Sequence, residues 1–215
     1  RAYDQHGRWM VMRNTMWQIR IHGRGGQGVV TAAELLAMAA FMDGKYAQAF
    51  PSFGSERMGA PVVAFCRVAE GAIRTRETVT RPDVVIIQDP TLLHQVDLFG
   101  GLAPLGFVLI NSTQTLDALH IEEFLSTLPL GHVCAFSATD LGLKYLKRPI
   151  ANGPLLGAFA AITGLIRLAS VESAIQQKFP GAVGEANRAA AREAFDVVTT
   201  SITEQRGIVH HAHAD

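Results

Sequence analysis

The chain contains 215 residues, enough for one good hydrophobic core but short for two full domains. Its formal net charge is zero, so its composition gives no reason to expect binding to nucleic acid or to an anionic membrane surface. Charged residues make up 18% of the chain, below the roughly 25% of typical soluble domains. A well-buried α/β core would lower this fraction, and so would a surface partly covered by other subunits.

The sequence predicts a cytoplasmic protein. No apolar run is long enough to cross a membrane, and the first residues lack the order of a signal peptide. Residues 1–16 have no clear periodicity and are expected to form an extension on the surface or against a partner. Cys66 and Cys134 cannot hold an iron–sulfur cluster alone, because such clusters need four thiolates, so we expect buried free thiols.

A glycine-rich segment at residues 23–28 is the clearest functional motif. It follows a predicted strand at residues 17–21 and precedes a predicted helix that begins near Val29. Three glycines match the pattern G-x-G-x-x-G in its strand–turn–helix context: Gly23, Gly25 and Gly28. Glycine lets the backbone approach a pyrophosphate, and the helix start supplies free N–H donors. A ligand that carries phosphate is therefore the first hypothesis.

The role of each residue in this segment has alternatives. Backbone N–H groups of residues 25–28 would contact phosphate, Arg24 would supply positive charge, and Gln27 would bind phosphate or fasten the loop. Alternatively, the glycines only allow tight packing of strand against helix, and Arg24 faces solvent or an interface. The candidate ligand-binding residues of this loop are Gly23, Arg24, Gly25, Gly26, Gln27 and Gly28.

The usual acidic partner of a nicotinamide dinucleotide is missing. Such sites place an Asp or Glu about 20 residues after the glycines, at the end of the second strand, to hold the ribose. The second strand is predicted at residues 45–50, and no acid lies between Lys45 and Ser55. Asp43 comes too early, in the preceding turn. Ordinary nicotinamide binding is therefore disfavoured.

The middle of the chain alternates strands with helices. Four apolar runs are typical of strands: residues 62–68, 83–88, 106–110 and 132–136. A returning strand is predicted at residues 73–75, and helices at residues 91–98 and about 139–146. This alternation predicts an α/β fold with a mostly parallel, doubly wound sheet. Ligands bind such sheets beyond the carboxyl ends of the strands, where the glycine loop, Asp89, Asn111 and Ser112 would gather.

The last third of the chain is predicted to be helical from about residue 152. We expect Asn152 to cap a long apolar helix that is buried on most faces, and Ser170 to cap the next helix. A final amphipathic helix is predicted at residues 184–203. Residues 204–215 are expected to be a solvated tail, although their histidines could bind a metal.

Three segments of the sequence together resemble one protein family. They are the glycine loop, the block Phe50-Pro51-Ser52-Phe53-Gly54-Ser55-Glu56-Arg57-Met58-Gly59-Ala60-Pro61 and the turn Ile150-Ala151-Asn152-Gly153. The sequence resembles the gamma subunit, or gamma domain, of the 2-oxoacid:ferredoxin oxidoreductases, of the pyruvate:ferredoxin oxidoreductase type. The resemblance implies a single Rossmann-like gamma domain at residues 17–203, with a helical carboxyl-terminal part.

This resemblance implies one part of an enzyme rather than a whole one. Such enzymes decarboxylate a 2-oxo acid oxidatively to acyl-coenzyme A and CO2. Thiamine diphosphate and 4Fe-4S clusters are carried by partner subunits, namely alpha and beta subunits and a ferredoxin-like delta subunit. Electrons pass to external ferredoxin or another acceptor. The gamma subunit is implied to pack over the thiamine site, to help bind coenzyme A, and to be inactive alone.

Two further groups of candidate residues remain. Ser55, Glu56 and Arg57 form a polar group in an apolar stretch, where an ion pair is favoured over direct catalysis. Asn111 and Ser112 would line the pocket or cap the next turn. The rival interpretations of the whole chain are a structural scaffold subunit without a ligand and a stand-alone NAD-dependent dehydrogenase.

Overall fold

The computed structural model describes residues 16–52 and 58–212. Nearly all of the predicted amino-terminal extension lies outside this range, as do Ser55, Glu56 and Arg57. Within the described residues, no helix is long and apolar enough to cross a membrane.

One mixed sheet organises the molecule. Its strands are β1 (Met16–Arg24), β2 (Tyr46–Pro51), β3 (Pro61–Ala69), β4 (Val84–Ile87), β5 (Phe107–Asn111) and β6 (Val133–Phe136). Their order across the sheet is β2-β3-β1-β4-β5-β6. Strands β1, β4, β5 and β6 are parallel neighbours, whereas β3 is antiparallel to both β1 and β2. The predicted α/β class with a mostly parallel sheet is confirmed.

Six α-helices and two short 3-10 helices connect and follow these strands in the described residues. The α-helices are α1 (Val29–Met42), α2 (Glu122–Leu125), α3 (Ala138–Leu146), α4 (Asn152–Thr163), α5 (Leu168–Lys178) and α6 (Ala182–Ala212). The 3-10 helices are Pro90–His94 and Asp117–Leu119. Helix α6 is longer than predicted and continues through residue 212 of the expected tail.

Two predicted elements were wrong. Residues 73–75 form no strand, because β3 already pairs with β1 on one side and β2 on the other and offers no open edge. The helix predicted at residues 91–98 is a five-residue 3-10 helix. Three residues after it ends, the Asp97 carboxylate accepts hydrogen bonds from the N–H groups of Phe99 and Gly100 in a turn.

The two faces of the sheet are covered differently. On one face, α1, α4, α5 and α6 enclose the larger core cluster, which contains Ile19, Ile21, Leu35, Leu36, Leu155 and Phe159. On the other face, a smaller cluster packs alternate residues of β4 and β5 under Leu92, Leu98 and Leu119. The cysteines lie within the larger cluster as free thiols, as expected. Burial raises the pKa of Cys66 to about 12 and that of Cys134 to about 11, so neither is a ready nucleophile.

Helix α4 is the buried helix that the sequence predicts. All its residues from 152 to 160 are buried, and it packs closely against α6. A Cβ atom added to Gly157 would lie 1.9 Å from the carbonyl oxygen of Ala191, so the absence of a side chain sets this helix contact.

Helix α5 is capped by a residue from another element. It begins at Leu168, so Ser170 lies inside the helix and does not cap it as predicted. Instead, the Asp43 carboxylate at the end of α1 accepts bonds from the backbone N–H of Arg167 (3.3 Å) and the hydroxyl of Ser170 (2.7 Å). The Arg167 guanidinium also pairs with Asp43. Burial by itself would raise the pKa of Asp43, but these bonds outweigh it and hold the pKa below its ordinary value.

Replacing Asp43 should change how stability depends on pH. We expect Asp43→Ala to lower the free energy of unfolding at pH 7 by about 1 kcal/mol, as for a lost helix cap. Because the folded pKa is depressed, the carboxylate stabilises fully above its unfolded pKa of about 3.9, and this contribution is lost as the pH falls through the folded value. The difference between the two proteins should therefore shrink below about pH 4 in urea unfolding series.

The matched control is Asp117→Ala, which removes an exposed carboxylate. It should cost little at either pH. A difference between wild type and Asp43→Ala that stays constant down to pH 3 would contradict the assignment of this carboxylate as the cap of α5.

Candidate functional site

A crevice lies where the strand order reverses. From β1 the chain reaches β2 and β3 on one side of the sheet, and later β4 on the other side. At such a switch point the connections leave in opposite directions and open a space beyond the carboxyl ends of the strands. A cavity of about 410 Å³ occupies this position. It is lined by Gly26, Gln27, Gln88, Asn111, Thr139 and neighbouring residues.

The glycine loop uses some of its N–H groups internally. The Gly25 N–H donates to the carbonyl of Ala60 (2.9 Å), and the Gln27 N–H donates to the carbonyl of Arg24 (3.0 Å). The N–H groups of Gly26 and Gly28 form no hydrogen bond within the described residues. Gly26 and Gly28 have φ values of +93° and +76°, a region that favours glycine. The loop therefore presents two free donors, followed by the unpaired first turn of α1.

Close packing explains why two positions of the motif hold glycine. A Cβ atom on Gly23 would lie 2.6 Å from the side chain of Val29, and one on Gly28 would lie 2.6 Å from Nδ2 of Asn152. Both positions thus exclude larger residues whether or not a ligand binds.

Gln27 fastens the loop to Asp89, the second residue after β4. Its Oε1 accepts a bond from the backbone N–H of Arg24 (2.8 Å), and its Nε2 donates to Oδ2 of Asp89 (2.8 Å). These two bonds hold the loop in place, and phosphate binding by Gln27 stays a prediction.

Arg24 is close to the loop, but its charge is offset. Its guanidinium lies 3.2 Å from Oδ2 of Asp89 and donates to Oγ1 of Thr91 (2.7 Å). Burial by itself would raise the pKa of Asp89, but bonds from Thr91 and Gln27 and the charge of Arg24 hold it below its ordinary value. The carboxylate therefore stays ionised and neutralises Arg24, which leaves little net charge for a phosphate.

A buried amide bridge lies beneath the loop. The Gln88 Nε2 donates to Oδ1 of Asn152 (2.6 Å), and the Asn152 Nδ2 donates to the carbonyl of Gly28 (3.2 Å). Asn152 was predicted to cap α4, but the cap position is Ala151 and has no side-chain bond. Asn152 turns its amide towards β4 and α1 instead, because both Gln88 and Asn152 are buried and need partners there. We call this three-residue contact, Gln88–Asn152–Gly28, the amide bridge.

Asn111 joins two strands to the start of α3. Its Nδ2 donates to the carbonyl of Gln88 (2.8 Å) and to the Thr139 hydroxyl (2.9 Å), and its Oδ1 accepts from the Thr139 N–H (3.1 Å). Ser112 caps its own turn, since its hydroxyl accepts from the N–H of Gln114 (2.9 Å). Both residues also line an adjoining pocket of about 480 Å³.

Sequence reasoning missed Gln88 and Thr139 as site residues. The available signal for Gln88 was a polar residue directly after the four buried residues of β4. Thr139 has no such signal, because only the fold brings it to Asn111.

The predicted roles of Ser55, Glu56 and Arg57 stay predictions, since these residues lie outside the described ranges. The residues just before and just after this segment are held by backbone contacts. The Ser52 N–H donates to the carbonyl of Val63 (2.9 Å), and Met58 forms a parallel bridge with Gly25.

Known proteins share both the sequence and the fold. Residues 18–197 match the family model of pyruvate ferredoxin/flavodoxin oxidoreductase. The common gamma subunit of the pyruvate and ketoisovalerate oxidoreductases from Thermococcus kodakarensis is 49% identical over 181 residues, covering 84% of this chain and 96% of that protein. The pyruvate oxidoreductase subunit PORC from Thermotoga maritima is 37% identical, with a TM-score of 0.71 over 85% of this chain and 96% of that chain.

A more distant structure shares the fold alone. The 2-oxoglutarate:ferredoxin oxidoreductase from Magnetococcus marinus is 16% identical, with a TM-score of 0.63. The similarity covers 88% of this chain but only 32% of that longer chain. The same fold therefore also occurs as one part of a larger polypeptide.

Removing the amide bridge should destabilise the protein. We expect Asn152→Ala to lower the free energy of unfolding by about 1–3 kcal/mol, because Gly28 and Gln88 lose a buried hydrogen-bond partner. Gln88→Ala breaks the same bridge, so the double variant should lose less than the sum of the single losses. Urea unfolding of the four proteins measures this coupling.

The control pair combines Gln88→Ala with Ser173→Ala, which removes a bond within α5. That pair should be additive. Additive losses for Gln88→Ala and Asn152→Ala as well would show that the two amides act independently.

Proposed function

The chain belongs to the pyruvate ferredoxin/flavodoxin oxidoreductase family and is a subunit of a 2-oxoacid:ferredoxin oxidoreductase complex, and from that premise we propose that its crevice binds part of coenzyme A. The complex converts a 2-oxo acid, coenzyme A and an oxidised acceptor to acyl-coenzyme A, CO2 and the reduced acceptor. This chain serves that reaction by holding and orienting coenzyme A.

The observation that carries the proposal is the pair of N–H donors at Gly26, which lines the crevice, and Gly28, which directly precedes α1; neither is bonded within the described residues. A pyrophosphate suits this place, because the start of a helix combines free N–H donors with the positive end of the helix dipole. Coenzyme A contains a pyrophosphate and needs no acid at the end of β2. The Magnetococcus marinus enzyme, which has this fold in one part of its chain, was solved with 2-oxoglutarate, coenzyme A and succinyl-coenzyme A bound.

The remaining chemistry belongs to companion subunits. We assign thiamine diphosphate to the alpha and beta subunits, over which this chain packs, and the 4Fe-4S clusters to partners that include the ferredoxin-like delta subunit. Within the described residues, no three His, Cys, Asp or Glu side chains are grouped to hold a metal ion. The buried thiols have raised pKa values and suit packing rather than cluster ligation.

A scaffold role without a ligand is the second candidate. It is favoured by the packing reasons for Gly23 and Gly28 and by the neutralisation of Arg24. A stand-alone dehydrogenase is less well supported, because β3 separates β2 from β1 and moves the end of β2 away from the glycine loop.

Purification tests the subunit assignment. A tagged copy of this chain, isolated without oxygen from its own host, should retain companion polypeptides with stoichiometric thiamine diphosphate and iron. Recovery of the chain alone, free of both, would contradict the proposed assembly.

Substitution of the loop tests coenzyme A binding. In the assembled enzyme, Gly28→Val should raise the KM for coenzyme A about tenfold, equivalent to about 1.4 kcal/mol of lost binding. The side chain strains the left-handed backbone and collides with Asn152, which displaces the free donors. Gly44→Val is the matched control, because Gly44 also has a positive φ, +79°, but has open space around it. Gly44 follows the carboxyl end of α1, whereas the glycine loop precedes its amino end.

The KM for coenzyme A decides between the two candidates. A correctly assembled Gly28→Val enzyme with unchanged KM would favour the scaffold role. The 2-oxo acid KM serves as the internal reference in both variants.

A further inference from the structure

One half of the sheet packs against an α-helix on only one of its faces. In β1, β2 and β3, alternate residues such as Ile19, Ala47 and Cys66 point into the larger core cluster under α1. Side chains alternate between the two faces of a strand, so the residues next to these point to the opposite face. Among the described helices, α1 is the one that packs extensively on these three strands. We call the opposite face of β1, β2 and β3 the open face. Its side chains include Arg20, His22, Gln48, Phe50, Phe65 and Arg67.

The open face collects buried polar atoms that have no hydrogen-bond partner. Six such side-chain atoms occur in the described residues, and four of them lie here: Nε of Arg20, Nε2 of His22, Oε1 of Gln48 and Nη1 of Arg67. Arg67 and His22 are only 2% and 9% exposed. A buried polar group without a partner costs free energy, and native proteins rarely leave one. Four such atoms on one face indicate that groups from outside the described residues complete it.

Two arginines place positive charge on the open face. Neither Arg20 nor Arg67 forms an ion pair within the described residues. Nη2 of Arg20 donates to the carbonyl of Leu98 (2.7 Å), and Nη2 of Arg67 donates to the carbonyl of Glu77. Both acceptors are uncharged, so no described carboxylate is bonded to either guanidinium.

Asp97 lies near Arg20 but does not pair with it. Its carboxylate accepts hydrogen bonds from the backbone N–H groups of Phe99 and Gly100 instead. Burial and the charge of Arg20 lower the pKa of His22 to about 4, which the charge of Asp97 opposes only in part. The ring of His22 is therefore neutral near pH 7, and the charge of Arg20 stays without a bonded counterion.

Aromatic rings lie beside these cations. The rings of Phe50 and Phe65 are 5.2 Å apart, and the Arg67 guanidinium lies 5.1 Å from the centre of the Phe50 ring. Arg20, Gln48 and Phe50 are partly exposed, so a group from outside the chain can reach them. Arginine and aromatic side chains together are typical of the centres of protein interfaces.

We propose that the open face, centred on Arg20, docks a carboxylate-bearing segment of a companion subunit. The chain is a subunit of an oxidoreductase complex, so companion polypeptides are the source of the missing groups. An Asp or Glu side chain is complementary in charge to Arg20 and accepts the N–H donors that now lack a partner. The inference goes beyond coenzyme A binding and holds whether or not the crevice binds that ligand.

The first test captures the carboxylate directly in the intact complex. The substitution Arg20→Lys keeps the positive charge and supplies an amine that a carbodiimide joins to an adjacent carboxylate. We expect mass spectrometry to find a cross-linked peptide that connects position 20 to an Asp or Glu of a companion subunit. Arg148→Lys is the matched control, because Arg148 is an exposed arginine on the turn between α3 and α4, away from the open face. It should give no cross-link to that companion carboxylate.

The second test measures how tightly the companions are held. Arg20→Gln removes the charge and should weaken the affinity of this chain for its companions about tenfold, so that they dissociate at lower salt during purification. Arg20→Lys should retain most of the affinity, and Arg148→Gln should match wild type. If Arg20→Gln fails to fold, the cross-link formed by Arg20→Lys still decides the question.

Two results would overturn the proposal. A cross-link from position 20 only to Asp97, Asp4 or Glu56 of this chain would show that one of its own carboxylates completes the open face. The absence of any cross-link in an Arg20→Lys complex that keeps its companions would show that no carboxylate docks there. Neither result bears on coenzyme A, which the KM of Gly28→Val tests separately.

Discussion

The amide bridge is the interaction on which the arrangement of the crevice depends. Asn152 holds the start of α1 through the Gly28 carbonyl and holds β4 through Gln88, so one side chain connects three elements that are distant in sequence. Leaving a buried amide unpaired costs about 1–3 kcal/mol for each group, and the bridge therefore adds to the backbone bonds that hold the loop. Asn111 extends the same network to β5 and α3. The walls of the crevice are consequently positioned by polar contacts, while apolar packing positions the layers behind them.

The fold was predictable where the signal is local. Four successive buried residues mark β4, and the glycine motif marks the turn from β1 to α1, because each pattern reflects burial or backbone geometry within a few residues. The place of β3 was not predictable in this way. Its sequence indicates a strand, but nothing in it specifies that it lies antiparallel between β1 and β2. The error at residues 73–75 has the same cause. Both edges of β3 are occupied, by β1 and by β2, and the sequence of β3 does not specify which strands pair with it.

The site shows the same division between local and distant information. The sequence identified the segments that meet at the crevice, because ligand sites of parallel sheets follow the carboxyl ends of strands. It did not predict how those residues are used. Asn152 stands at the start of an apolar helix, where local rules favour a cap, but its amide bonds to Gln88 and Gly28 instead. By sequence Arg24 is a candidate phosphate ligand, but Asp89, from the loop that follows β4, lies 3.2 Å from it. Partners supplied by the fold therefore decided both roles.

The antiparallel placement of β3 also has a consequence for how the chain folds. The central strand β1 has no partner nearer in sequence than Pro61, because its neighbours are β3 and β4. Strands β2 and β3, by contrast, pair with each other across a short connection. Closing a long loop costs more conformational entropy than closing a short one, and non-local pairing slows folding. Pairing β2 with β3 therefore costs less loop-closure entropy than pairing β1 with β3. The strand that leads into the glycine loop can enter the sheet only after the chain that follows it has been synthesised.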